Sequence, residues 1–251
     1  MSRPFSPRLP GQRRFLPDDV EDARVVLLVV LTFVTGSVDA VSYLGLQRVF
    51  TANMTGNVAL IGFAAGGAHG LPLVRSGLAL LAFVAGAAAG GRLVRSADLR
   101  APWPARVTVA LLASVGLLVI VFATWVGRHH APQAELAASA MAFAMGIQGA
   151  ATRKLGVADL PTTVVTSTLT GLAADSFLGG GTGVRWRRRA TSVAALVLGA
   201  FSGGALVQVS PSLGLLPGIG VLAAVCAVAT VHDLHAPVTA ADVMEQPAAA
   251  K

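Results

Sequence analysis

Eight apolar segments, each separated from the next by a short polar or arginine-bearing stretch, leave this chain few places to fold other than a lipid bilayer. They run roughly over 24–46, 50–68, 73–94, 106–127, 134–152, 162–178, 190–208 and 213–231. A spanning helix needs about 20 largely apolar residues, and inside a bilayer only a helix or a closed barrel satisfies its own backbone. The 251 residues are 54% hydrophobic and 12% charged, where a soluble domain carries about 25% charged residues. These lengths predict an all-α, polytopic membrane helix bundle whose first partner is the lipid bilayer.

The formal charge of +7 suggests nucleic acid at first sight. The basic residues lie in short loops between apolar segments, however, as the positive-inside rule requires, so no nucleic-acid partner is expected. Cys226 is the sole cysteine and falls within an apolar segment, which predicts a small core residue and excludes an internal disulfide. Residues 1–23 read as a basic, Pro-rich cytoplasmic tail and 232–251 as a polar, disordered tail. The run at 24–46 is longer than a signal-peptide core and shows no evident cleavage site, so it is expected to stay as the first span.

The second and sixth segments are weak. Each opens with Thr-rich polar sequence and offers only a short apolar helix, from about Asn57 to Ala65 in the second. If all eight segments spanned, twelve basic residues would lie on the inner side and seven on the outer. If the second and sixth enter and return on one side, the count becomes sixteen against three, with Arg48, Arg75 and Arg128 alone outside. The larger asymmetry predicts six spans, two re-entrant segments at 50–68 and 162–178, and both termini in the cytoplasm.

An internal repeat points the same way and divides the chain into halves at 24–127 and 128–231. Thr55-Gly56 returns as Thr170-Gly171, the run from Gly86 returns from Gly199, and Phe33 and Gly36 return as Phe143 and Gly146. The offsets are 115, 113 and 110 residues. Arg92 and Arg95 correspond to the uncharged Ala205 and Gln208, as expected if one helix ends inside and its copy outside. Three spans per half make this an inverted repeat, an architecture common among transporters. Gly86 and Gly90, like Gly199 and Gly203, stand four apart and predict close helix packing.

The residues that carry possible chemistry are few. Thr32, Thr35, Gly36, Asp39, Ser42 and Tyr43 share one face of the first helix. An acid within a span is costly to insert, which leaves two readings of Asp39. It is either a functional group, a proton- or cation-handling carboxylate or a gate, or a structural group that caps nearby re-entrant backbone or pairs with Arg48. Thr51, Asn53, Thr55 and Asn57 supply polar groups to the first re-entrant segment, with Thr55 or Asn57 as the helix cap. Thr166, Thr168 and Thr170, with Ser167, do so in the second. Two opposed half-helices would aim their positive N-terminal ends at the midplane, a site for an anion or a neutral polar solute. Asp175 is expected near the cytoplasmic surface, and His129, His130, His232 and His235 at the interface. No metal site, no cofactor and no enzymatic motif is expected.

Gly36-x-x-Asp39-Ala40-x-Ser42-Tyr43-Leu44-Gly45, followed by Val49-Phe50-Thr51-Ala52-Asn53-Met54-Thr55-Gly56-Asn57, resembles the signature of the YoaK-like family of uncharacterised bacterial integral membrane proteins. The resemblance covers roughly 25–231 and implies a bacterial inner-membrane protein of about six spans, with no substrate, cofactor or catalytic residue attached. Two functions stay open: a channel or secondary transporter for a small polar solute or ion, and a non-transporting membrane scaffold or assembly partner. Either is compatible with a homo-oligomer.

Overall fold

The computed structural model describes residues 18–46, 48–99, 101–126, 131–156, 165–183 and 186–231. The tails up to residue 17 and from 232 onward, the pair His129 and His130, and Thr162 and Thr163 lie outside them. The described chain is all-helical: α1 Asp18–Gly45, α2 Met54–Ala65, α3 Leu73–Leu93, α4 Ala105–Trp125, α5 Ala131–Lys154, α6 Val165–Ala174, α7 Trp186–Val207 and α8 Leu216–Val231. Charge marks the helix ends as the helix dipole favours. Four acids open α1, and Arg153 and Lys154 close α5.

Among the described residues, five helical stretches are long and apolar enough to cross a membrane: Ala23–Gly45, Leu73–Leu93, Ala105–Trp125, Trp186–Val207 and Leu213–Val231. The sixth long helix, α5, has 24 residues but is richer in Ala, Gly and polar side chains. Its position explains this. Ala138, Met141, Ala142, Ala144, Met145, Gln148 and Ala151 are all buried, so α5 is surrounded by protein and its packing depends on small residues more than on hydropathy.

Side-chain contacts fix the direction of every long helix. Near the start of α1, Arg24 donates to the carbonyls of Leu99 at 3.0 Å, Ala101 at 2.6 Å and Pro102 at 2.5 Å. The loop between α3 and α4 therefore lies at the face from which α1 sets out, so α3 runs against α1 and α4 runs with it. Gly45 at the end of α1 meets Trp125 at the end of α4. Contacts of Gly86 with Phe143 and of Gly90 with Ile147 advance together, so α3 and α5 are parallel. Those of Gly199 with Phe33 and of Gly203 with Ser37 make α7 parallel to α1. Gly214 meets Val41 and Gly218 meets Val38, so α8 runs back along α1.

It follows that α1, α4 and α7 cross one way and α3, α5 and α8 the other. The short helices α2 and α6 therefore make no crossing. At 1.5 Å per residue their 12 and 10 residues span about 18 and 15 Å, where the hydrocarbon core is about 30 Å thick. Among the described residues the bundle has six spans and two half-helices.

The two parallel crossings use corresponding residues. Gly36 lies against Leu196 and Ala200, as Gly146 lies against Phe83 and Ala87. A methyl group at Gly199 would fall on the carbonyl of Phe33, and one at Gly86 on the carbonyl of Phe143. By contrast, a methyl at Gly62 or Gly116 would meet nothing within 4 Å. Gly86→Ala and Gly199→Ala should each destabilise the folded protein by about 1–3 kcal/mol through overpacking. Gly62→Ala and Gly116→Ala should be neutral or stabilising, because alanine favours a helix by about 0.5–1 kcal/mol. Thermal unfolding in detergent compares the two pairs, and equal midpoints would contradict this account of the crossings.

Candidate functional site

After α1 the chain turns straight back into the bundle. The pivot is Arg48, which adopts the left-handed conformation at φ 65°, uncommon for a residue with a side chain. Its N–H donates to the carbonyl of Tyr43 at 3.0 Å. Val49 is then wholly buried beside Ala79 of α3 and Ala142 of α5. The Phe50 ring stacks on Tyr43 with centroids 4.8 Å apart.

The non-helical backbone that follows needs partners within the protein, because lipid supplies none. Asp39 provides most of them. It lies six positions before the end of α1, or about 9 Å back along the helix axis. Its Oδ1 accepts the N–H of Thr51 at 2.9 Å and of Ala52 at 2.7 Å, and its Oδ2 accepts that of Asn53 at 3.0 Å. Thr51 donates its hydroxyl to Ser42 at 3.3 Å, and Ser42 donates to the backbone oxygen of Asp39 at 3.1 Å. Asn57, fully buried, closes the loop from the other side. Its Nδ2 donates to the Phe50 carbonyl at 2.6 Å and its Oδ1 accepts the Phe50 N–H at 3.1 Å.

Two expectations change here. The helix begins at Met54, three residues earlier than Asn57, so Thr55 and Asn57 sit inside it and cap nothing. Asn53 occupies the cap position without a side-chain cap bond; the Asp39 carboxylate from α1 instead holds the three N–H groups that precede the helix. The carboxylate of Asp39 is engaged by backbone N–H groups, while Arg48 is exposed and makes no ion pair with it among the described residues. Asn53 and Thr55 are exposed at the edge of the cluster and Tyr43 is at its rim. The Asn57–Phe50 pairing was not foreseen, since a side chain reaching back seven residues to backbone leaves no pattern in sequence.

The second half-helix is held differently. Thr166 and Thr170 are exposed and Thr168 is buried; the Thr170 hydroxyl donates to the Thr166 carbonyl at 2.9 Å. From α7, the Nη1 of Arg189 donates to the carbonyl of Gly171 at 2.5 Å and to Asp175 at 2.6 Å. A methyl group at Gly171 would strike the guanidinium, so glycine there admits the arginine. Asp175 retains a 58% exposed side chain. Its partner was the residue sequence reasoning missed, although three consecutive arginines at 187–189 were the available signal. The carboxylate and the arginine do not recur. At offsets of 110 and 113 residues from Asp39 and Arg189 stand Gly149 and Ser76.

The candidate residues thus fall into two groups. Asp39, Ser42, Thr51 and Asn57 converge on the loop before α2, which packs on α3, whereas Thr166, Thr168 and Thr170 belong to α6, which packs on α7; α2 and α6 do not touch among the described residues. The upper part of the polar stripe on α1 faces helices, with Thr32 and Thr35 donating to the Leu28 and Leu31 carbonyls at 3.0 and 3.2 Å. Gln148 of α5, wholly buried, lies 3.5 Å from the same Leu31 carbonyl. Gly86, Gly90, Gly199 and Gly203 are all buried in the crossings. Among the described residues no three His, Cys, Asp or Glu side chains are grouped to hold a metal.

A family model described as "Protein of unknown function (DUF1275)" matches residues 27–231, which takes in the loop and the eight helices apart from the start of α1. The chain belongs to the DUF1275 family. It is 37% identical over 152 residues to the UPF0700 transmembrane protein YoaK of Bacillus subtilis (strain 168), covering 61% of this chain and 67% of that protein. No solved structure matches. Membership places the chain among multi-pass membrane proteins, in keeping with the six spans, and the matched residues include the Asp39 loop.

The hydrogen bonds predict separable effects. Asp39→Asn keeps the size of the side chain but turns an amide N–H toward backbone N–H donors and removes the charge that strengthens the bonds. It should cost about 1–3 kcal/mol, as should Asn57→Leu, because buried donors are left unmet. Asn53→Ala, exposed and outside the bonded set, should stay within about 0.5 kcal/mol of the parent. Thermal unfolding of the three variants decides the matter, and an unperturbed Asp39→Asn would show that the loop is held by something else.

Proposed function

We propose that this DUF1275 protein is a channel or secondary transporter for a small polar solute or ion in a bacterial inner membrane. The observation that carries the reading is the pair of half-length helices, one on each face, each opening with polar sequence in an otherwise apolar bundle. Half-helices that stop inside a bundle are the usual way a membrane protein presents backbone dipoles to a polar passenger. The halves 24–127 and 128–231 are read as an inverted repeat. The corresponding glycine crossings support it, as does the odd number of spans in each half. The two half-helices serve as separate entrances, one for each side. The reading includes no enzymatic step and no cofactor.

Orientation follows from charge. Arg92, Arg95, Arg106, Arg153, Lys154 and Arg187 to Arg189 lie on the face where α1, α4 and α7 begin, against Arg48 and Arg75 on the other. The positive-inside rule makes the first face cytoplasmic. On a Cys226→Ala background, Asp98→Cys should react with an impermeant thiol reagent only after the cells are opened. Reaction in intact cells would reverse the orientation.

A scaffold without transport is the second reading. It is favoured by the use of Asp39 and Asn57 to hold backbone and by the separation of α2 from α6. Flux of a panel of ions and polar metabolites into proteoliposomes distinguishes them. Transport should exceed that of protein-free vesicles for at least one solute and fall in Asn53→Ala, whose exposed side chain is not needed for folding. Flux equal to empty vesicles across the panel would leave the scaffold.

A further inference from the structure

The ends of α3 and α5 and the start of α4 meet at one corner of the bundle, and the corner gathers five cations. Arg92 and Arg95 come from α3, Arg106 from α4, and Arg153 and Lys154 from α5. Two bonds tie the corner together. Arg106 donates to the Leu93 carbonyl at 3.3 Å and Lys154 to the Arg95 carbonyl at 3.4 Å. Arg92, Arg95, Arg106 and Arg153 are exposed, and no carboxylate pairs with Arg92, Arg95 or Arg153 among the described residues. In sequence the nearby acids are Asp98 and Asp159, and α1, whose Arg24 holds the loop between α3 and α4, opens with Asp18, Asp19, Glu21 and Asp22. The exposed Arg92, Arg95 and Arg153 are paired with none of them among the described residues.

The fold supplies its own control for what these cations do. By the offset of 113 Arg92 and Arg95 correspond to Ala205 and Gln208, and by the offset of 110 Arg153 and Lys154 correspond to Tyr43 and Leu44. Those four residues stand where α7 and α1 end, the matching parallel pair on the opposite face. The helix ends themselves therefore close there without a cation, Arg48 following only in the turn after α1, and packing of the ends does not require the charges. The corner also stands at the membrane surface, because the outward side of α3 leading to it carries Leu81 and Val84, 69% and 57% exposed. An arginine cluster at the head of a lipid-facing helix matches a phosphate oxyanion above an acyl chain.

We propose that this corner binds the headgroup of an anionic phospholipid, its phosphate held by Arg92 and Arg95 with Arg153 and Lys154 alongside. The lipid tail lies along the exposed side of α3. The site is independent of the transport reading, since a scaffold would bind the lipid equally well.

The test uses the full chain in neutral detergent, titrated with phosphatidylglycerol or with phosphatidylcholine and followed by native mass spectrometry and thermal unfolding. Phosphatidylglycerol should be retained and raise the unfolding midpoint, and phosphatidylcholine should do neither. In Arg92→Gln/Arg95→Gln/Lys154→Gln the apparent affinity should fall on the order of 100-fold, at about fivefold for each cation lost near a bilayer surface. Arg48→Gln/Arg75→Gln, on the opposite face, should bind as the parent does. Should the triple variant fail to accumulate, Arg92→Gln/Arg95→Gln alters exposed side chains alone and should lose about 25-fold. Equal binding by the parent and the corner variant would overturn the proposal, as would an equal loss in the opposite-face variant. Protection by inorganic phosphate at matched concentration would assign the corner to a soluble anion, and overturn the lipid assignment.

Discussion

Two close approaches of helix backbone, glycine against carbonyl, determine the rest of this structure. Where Gly199 meets Phe33 and Gly86 meets Phe143, no side chain intervenes, and dispersion contacts and weak C–H···O bonds replace the interdigitation of larger residues. Because such pairs sit so near, the outer helices can lie across them and still reach the core. Leu118 and Leu222, from α4 and α8, are wholly buried. Without the short crossings the bundle would be wider, and Val49 would lose the contact with Ala79 and Ala142 that holds the loop inside.

The loop illustrates how a charge can be kept within a membrane protein. Three consecutive N–H groups would otherwise be unmet in a medium without water, and a carboxylate would otherwise be unsolvated. Each removes the cost of the other. Arg189 and the Gly171 carbonyl form the mirror case, in which a cation serves an acceptor. The two half-helices are thus fixed at opposite ends, α2 before its first turn by an anion and α6 in its last turn by a cation.

Much of this was legible in sequence and some was not, for identifiable reasons. Five of the spans were visible because hydropathy reports what lipid selects, and α5 stood out as a long apolar segment although burial among helices makes it less so. Charge asymmetry identified the two segments that do not cross, and the spacing of Gly86 and Gly90 marked a close-packed face. Which helix each face meets was hidden, since nothing in α1 names α7 as its partner. The start of α2 was placed late because Thr51 to Asn57 reads as polar loop, whereas helix begins as soon as Asp39 has taken the preceding N–H groups. That assignment could not be read directly, as the partners are backbone atoms present at every position. Asp175 was placed near the surface by its position alone, and its arginine lay one element further on.

The pairing of α1 with α7 and of α3 with α5 has a consequence for biosynthesis. Each half contributes one helix to each close pair, so neither half contains a complete crossing and neither is a folding unit. Gly36 waits for Leu196, 160 positions later in the chain, which at about 5–20 residues per second is on the order of 10–30 s of synthesis. During that interval α1 rests in the membrane with its glycine groove open and its threonines bonded only to their own helix. The self-satisfied hydroxyls of Thr32 and Thr35 are what allow it to wait there.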